Sequence, residues 1–129
     1  MSDVIVLVDD LMFLSRIREA ARGAGLEVRP VRRGVDLGAA LADGGRLVLV
    51  DADSDRLPWA EALGALRDDP SRPRVPVVAF LSHVHADRAA AARDAGCDRV
   101  LARSAFVREL PALLAAAARP RPLLEEHAP

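Results

Sequence analysis

Three stretches of this chain carry apolar residues with almost no interruption: residues 4–8 (Val-Ile-Val-Leu-Val), 47–50 (Leu-Val-Leu-Val) and 75–81 (Val-Pro-Val-Val-Ala-Phe-Leu). They do not alternate apolar with polar. That pattern predicts strands buried on both faces, as in a parallel sheet covered by helices. Weaker strands are predicted over 26–31 and 99–102. Helical spacing fills the gaps. Phe13, Ile17 and Ala20 or Ala21 recur at one helix face, with Gly23 and Gly25 as stop signals. Short helices are predicted over 35–41, closed by Gly44 and Gly45, and over 58–66, with Pro58 in the first turn. An alanine-rich helix over 86–95 ends at Gly96, and a last helix over 106–118 has Pro111 near its start. The order is strand then helix, five times over. It predicts an α/β fold with one parallel sheet and helices on both faces.

Ligands in such folds bind beyond the carboxyl ends of the strands. Asp9, Asp10, Asp51, Leu81 and Arg103 fall there. With 129 residues the chain holds one domain, expected over 1–118, and a tail over 119–129 (RPRPLLEEHAP). Hydrophobic residues at 51% and charged residues at 29% fit a soluble globular protein. A net charge of −1 argues against a nucleic-acid or membrane surface driven by excess charge. The single cysteine, Cys97, rules out an internal disulfide and reads as a small partly buried residue. The first apolar run is short and has no basic region before it, so the expected location is the cytoplasm. Lysine and tyrosine are absent, and all 18 basic residues are arginine.

The stretch Asp51-Ala-Asp53-Ser-Asp55 admits three chemical readings. A calcium loop needs glycine at its sixth position and glutamate at its twelfth; Arg56 and Ala62 stand there. A catalytic magnesium site of the primase/topoisomerase nucleotidyl-transfer kind would use a glutamate after the first strand, and here two aspartates follow it. The third reading fits best. The Asp9-Asp10 pair after the first strand and Asp51 at the end of the third resemble the receiver domain of two-component response regulators. The resemblance runs from about residue 4 to 118. It implies a flavodoxin-like three-layer sandwich, (βα)5, with a five-stranded parallel sheet. It also implies a Mg2+ site at Asp9, Asp10, Asp51 and the backbone carbonyl of Asp53, with Asp51 as phosphoryl acceptor. Clustered carboxylates favour a divalent cation, which neutralises phosphoryl oxygens during in-line transfer.

Receivers also use a Thr or Ser at the end of strand four and a Lys at the end of strand five. Pro76-Val-Val-Ala-Phe-Leu81 resembles the family's Pro-x-x-x-x-Thr strand, and Asp94-Ala-Gly-Cys97 its Glu-Ala-Gly-Ala turn. On that alignment Leu81 takes the hydroxyl position and Arg103 the lysine position, 30 and 52 residues after Asp51. Leu81 cannot hydrogen-bond a phosphoryl oxygen, and Arg103 keeps the charge with a different head. Ser104 stands for the family's proline, with its cis peptide, and Val100 for its rotating aromatic. A one-residue shift would put Ser82 on the hydroxyl position, but it would turn strand four's side chains to opposite faces.

Two functions follow. One is a pseudo-receiver working by protein–protein contact without phosphorylation. The other is a true receiver with Mg2+-assisted transfer to Asp51. Neither is an enzyme beyond self-phosphorylation and autodephosphorylation at Asp51. The partners implied are a histidine kinase or a downstream target, with no direct nucleic acid and no membrane. The face of helix four, strand five and helix five is offered for a homodimer. A flavin or dinucleotide site is disfavoured, because the loop after strand one (Asp-Asp-Leu-Met) has no phosphate cradle. His83 and His85 read as loop imidazoles beside the acids, with His83 able to lean over the pocket. Asp53 and Asp55 read as solvated loop acids, Trp59 as packing and residues 29–33 as a solvated basic edge.

Overall fold

The computed structural model describes residues 3–71, 74–82 and 86–119. His83 and His85, and the tail beyond Arg119, lie outside the described residues. Five strands, β1 (Val4–Leu7), β2 (Val28–Pro30), β3 (Leu47–Asp51), β4 (Val77–Leu81) and β5 (Arg99–Ala102), form one parallel sheet in the order β2-β1-β3-β4-β5. Five helices alternate with them: α1 (Leu11–Gly23), α2 (Gly34–Ala42), α3 (Trp59–Arg67), α4 (Ala86–Asp94) and α5 (Arg103–Ala118). One parallel sheet with alternating helices is what the strand pattern predicts, and the flavodoxin-like (βα)5 sandwich is what the receiver resemblance implies.

Every residue of β1, β3 and β4 is buried, which is why those runs carry no polar alternation. Alternate positions feed two cores. Val4, Val6, Leu47, Leu49, Val78 and Phe80 meet α1 and α5 through Leu14, Ile17, Phe106 and Leu110. Ile5, Leu7, Val48, Val50, Ala79 and Leu81 meet α2, α3 and α4 through Leu37, Leu41, Leu63 and Ala92. Trp59 belongs to the second core, and its indole Nε1 donates to the Ser54 carbonyl at 3.3 Å, so its role is packing. At the lower edge, Gly45 lies so close to Ile5 that an added Cβ would stand 2.9 Å from Ile5 Cγ1. Gly96, with φ 107°, closes the turn after α4.

The sequence places the last helix too late. α5 begins at Arg103 directly after β5, not at Phe106, so Pro111 lies inside the helix rather than near its start. A proline there lacks one backbone donor and crowds the carbonyl of the preceding turn. The helix tolerates it because Phe106, Leu110 and Leu114 anchor the opposite face in the core, while Pro111 is exposed. Pro111→Ala should therefore raise the unfolding free energy by about 1–3 kcal/mol in a urea titration. An unchanged midpoint would mean that the surrounding helix has already absorbed the defect.

Candidate functional site

The register of the sheet brings the candidate residues to one end. Leu7 pairs with Val50, Asp51 with Phe80, and Leu81 with Ala102, so four strands finish at nearly one level. Asp9 and Asp10 follow β1, Asp51 ends β3, Asp53 lies in the loop after it, and Arg103 opens α5. Asp9, Asp10, Asp51, Asp53, Ser54, Asp55, Arg56 and Arg103 line an open cleft of about 290 Å3.

Asp51 is the only buried charged side chain among the described residues, at 3% exposure. Its Oδ1 accepts the Asp53 amide at 3.0 Å. Burial pushes its carboxyl above the usual range; Arg103 opposes the rise without cancelling it. Asp10 caps α1, its Oδ1 accepting the amides of Met12 at 3.0 Å and Phe13 at 3.1 Å. One oxygen of Asp10 is thus committed to the helix, and Oδ2 turns towards Arg103 Nη1 at 3.8 Å. Asp9 turns outward enough to pair with Arg32 at 3.6 Å.

Arg103 is the centre of the cluster. Its Nη2 donates to both oxygens of Asp51, at 3.3 and 3.2 Å, and its Nε to Asp53 Oδ2 at 3.2 Å. The guanidinium carbon lies 4.8 Å from the Phe13 ring centroid and 5.1 Å from that of Phe80. The chain's three phenylalanines meet beneath it: Phe13–Phe80 at 4.7 Å, Phe80–Phe106 at 4.5 Å and Phe13–Phe106 at 5.8 Å. A cation at the first position of a helix opposes the macrodipole, so the carboxylates have to hold it there.

Asp53 is not the solvated acid that the sequence suggests. Its Oδ2 accepts the Ser82 amide as well as Arg103 Nε. Burial acts to raise its carboxyl, but the Ser82 hydroxyl and amide and Arg103 outweigh it, and the carboxyl lies below the usual range. Asp55 is 81% exposed but paired, accepting Arg88 Nη2 at 2.7 Å, while Arg88 Nη1 donates to the Ala52 carbonyl at 2.9 Å. The β3–α3 loop is therefore tied to α4 through Arg88, to the end of β4 through Ser82 and to α5 through Arg103. Asp10's cap follows from an aspartate standing just before a helix. The contacts of Arg88 and Ser82 join residues 29 to 36 positions apart, and no local signal announces them.

Leu81 is fully buried, its side chain in the core under α2, α3 and α4. Ser82 is exposed, one residue past the strand, and engages Asp53. Val100 is half-buried against the same core as Leu81. Ser104 is the second residue of α5, and no cis peptide occurs among the described residues. Burial and the neighbouring Asp98 carboxylate push the Cys97 thiol up to about 12, which leaves it unreactive.

As placed, these residues do not fit a divalent ion. Among the described residues no group of three or more His, Cys, Asp or Glu side chains is arranged to hold a metal. The guanidinium of Arg103 stands among the carboxylates that the ion would bridge, and one oxygen of Asp10 serves the helix cap. Among the described residues no helix is long and apolar enough to cross a membrane.

No family model matches the sequence, and no curated protein matches it. Solved structures do. A response regulator from Hahella chejuensis is 19% identical, with a TM-score of 0.73 over 91% of this chain and 95% of that one. The receiver domain of a sensor histidine kinase from Pseudomonas aeruginosa, with magnesium coordinated in its active-site cleft, is 22% identical, with a TM-score of 0.70 over 91% and 97%. The phosphorylated cyanobacterial phytochrome response regulator RcpA is 22% identical, with a TM-score of 0.66 over 89% of each chain. The likeness spans the whole (βα)5 unit, and the chain has the fold of response-regulator receiver domains.

Proposed function

We propose that this chain is a receiver-like signalling domain of a two-component-type pathway that acts through protein–protein contacts, without phosphorylation. Leu81 carries the reading. It stands where the receiver resemblance requires a hydroxyl, and its side chain is fully buried in the core. A phosphoryl group on Asp51 would find no hydrogen-bond donor from that position, so the coupling of phosphorylation to loop movement loses its first link. The direct passage of β5 into α5 at Arg103 removes the second, since the family's lysine–proline loop has no counterpart. The partners that fit are a histidine kinase or a downstream target. The edge strand β5 between α4 and α5 is the face offered to them or to a second copy, and the Arg99–Glu109 pair at 2.6 Å joins β5 to α5 on it.

One observation favours the second reading, a phospho-accepting receiver. Asp51 ends β3 at the lining of the cleft, with Asp9 and Asp10 beside it. Incubation with acetyl phosphate and Mg2+, read by intact mass with Asp51→Asn as control, separates the two. The expected result is an unchanged mass in both proteins. A phosphoryl adduct present in the native chain and absent from Asp51→Asn would overturn the proposal and establish Asp51 as acceptor.

A further inference from the structure

We infer that Arg103 is a built-in counter-cation that occupies the acid cluster in place of a divalent metal ion. The cluster becomes a metal site only when that side chain is withdrawn. The inference rests on the receiver-like reading of the cleft and goes beyond it, because it says what has replaced the ion and predicts how the ion can be recovered.

Three observations converge. First, the guanidinium reaches three carboxylates from one position: Asp51 through Nη2, Asp53 through Nε, and Asp10 Oδ2 at 3.8 Å from Nη1. A divalent ion would neutralise such oxygens, and the planar five-donor guanidinium does so with hydrogen bonds to Asp51 and Asp53 and an ion pair to Asp10. Second, the side chain is seated rather than swinging freely. It is 25% exposed, and its guanidinium carbon lies over Phe13 and Phe80, whose rings are packed on Phe106. Third, Arg56 is an exposed residue of the cleft lining, and two further cations near the cluster are held by partners away from Asp51. Arg32 pairs with Asp9, and Arg88 with Asp55 and the Ala52 carbonyl. Arg103 is thus the described cation that neutralises the centre of the cleft. Bringing Mg2+ to Asp51 would place two cations on the same oxygens, so the ion must displace the guanidinium from Asp51. With Arg103 gone, Asp10, Asp51 and Asp53 would face one another without a cation, the arrangement that favours a hard divalent ion.

The test is Mg2+ titration followed by backbone amide shifts and calorimetry on the native chain, Arg103→Met, Arg103→Gln and Arg103→Gln with Asp51→Asn. Methionine keeps an apolar stem over the phenylalanines, and glutamine keeps polarity, so one can serve if the other folds poorly. The expected result is saturable binding in the neutral variants at least tenfold tighter than in the native chain, abolished by Asp51→Asn. Equal affinity in the native chain and the variants overturns the inference, because the ion then ignores the guanidinium. Failure of both folded variants to gain binding overturns it too, because something other than Arg103 then keeps the ion out. Saturable binding by the native chain as tight as that of the neutral variants, without a phosphoryl adduct, would sink this inference and leave the phosphorylation-independent reading standing. An adduct at Asp51 would sink that reading instead.

Discussion

Arg103→Met lowers the unfolding free energy at pH 7 by about 2–3 kcal/mol, and Asp51→Asn in the same chain restores at least half of the loss. The side chain of Asp51 is 4% exposed, and without the guanidinium its remaining described hydrogen-bond donor is the Asp53 amide. Removing one partner of a fully buried ion pair costs about 3–5 kcal/mol, because the other charge stays buried without compensation. Arg103 and Asp53 reach solvent in part, which brings the expected figure below that range. Asparagine in place of Asp51 can still accept the Asp53 amide but buries no charge, so the arginine has less to neutralise in that background.

The loss should also depend on pH, with a definite sign. Asp51 has a raised carboxyl in the fold, so its favourable contribution is complete below its ordinary value of 3.8 and is lost as pH rises through the raised value. Asp53 has a lowered one, so its contribution is present above 3.8 and is lost as pH falls through the lowered value. Taking away Arg103 raises both carboxyls, which adds a penalty only where they ionise. The gap between native chain and Arg103→Met should therefore be widest at neutral pH and shrink in acid. Urea titrations at neutral and acid pH, with and without Asp51→Asn, measure it. A gap that is independent of both pH and the Asp51 substitution would show that Arg103 stabilises by packing alone.

The fold was legible because its strands are buried on both faces. Residues 4–8, 47–50 and 75–81 need no polar face, and the uninterrupted apolar runs say so directly. Their ends also place Asp9, Asp10, Asp51 and Arg103 at one end of the sheet. What the runs could not reveal is the way those side chains divide their hydrogen bonds. Asp10 is both helix cap and neighbour of Arg103, and Asp53 turns inward because Ser82 and Arg103 compete to hold it. The start of α5 was missed for a related reason. Arg99 to Arg103 carries no glycine, proline or capping side chain to separate strand from helix, Ala102 holds the cap position with no side-chain bond, and Ser104, a residue of the capping type, stands inside the helix. The phenylalanine platform left a faint trace. Strand alternation sets Phe80 and Leu81 on opposite faces, and Phe13 and Phe106 lie in the first turns of the two helices on Phe80's side.

That platform gives the largest expected effect. Phe80→Ala should lower the unfolding free energy by about 3–5 kcal/mol, a large share of the roughly 5–15 kcal/mol that holds a small domain together. Phe80 is fully buried, and its ring touches two others while lying under the guanidinium of Arg103. Its loss opens a cavity near the carboxyl end of β4 and takes the floor from beneath the arginine. Phe106→Ala is the informative comparison. Phe106 is equally buried and packs on the same rings, yet the rings closest beneath the guanidinium are those of Phe13 and Phe80. Both variants should lose similar stability by urea titration. Only Phe80→Ala should also speed solvent exchange of the Arg103 Nε proton, seen by NMR, since that proton is held against Asp53 by a side chain resting on the ring. Equal exchange in the two variants would mean that the carboxylates seat Arg103 unaided, and the aromatic platform would then serve the core and not the site.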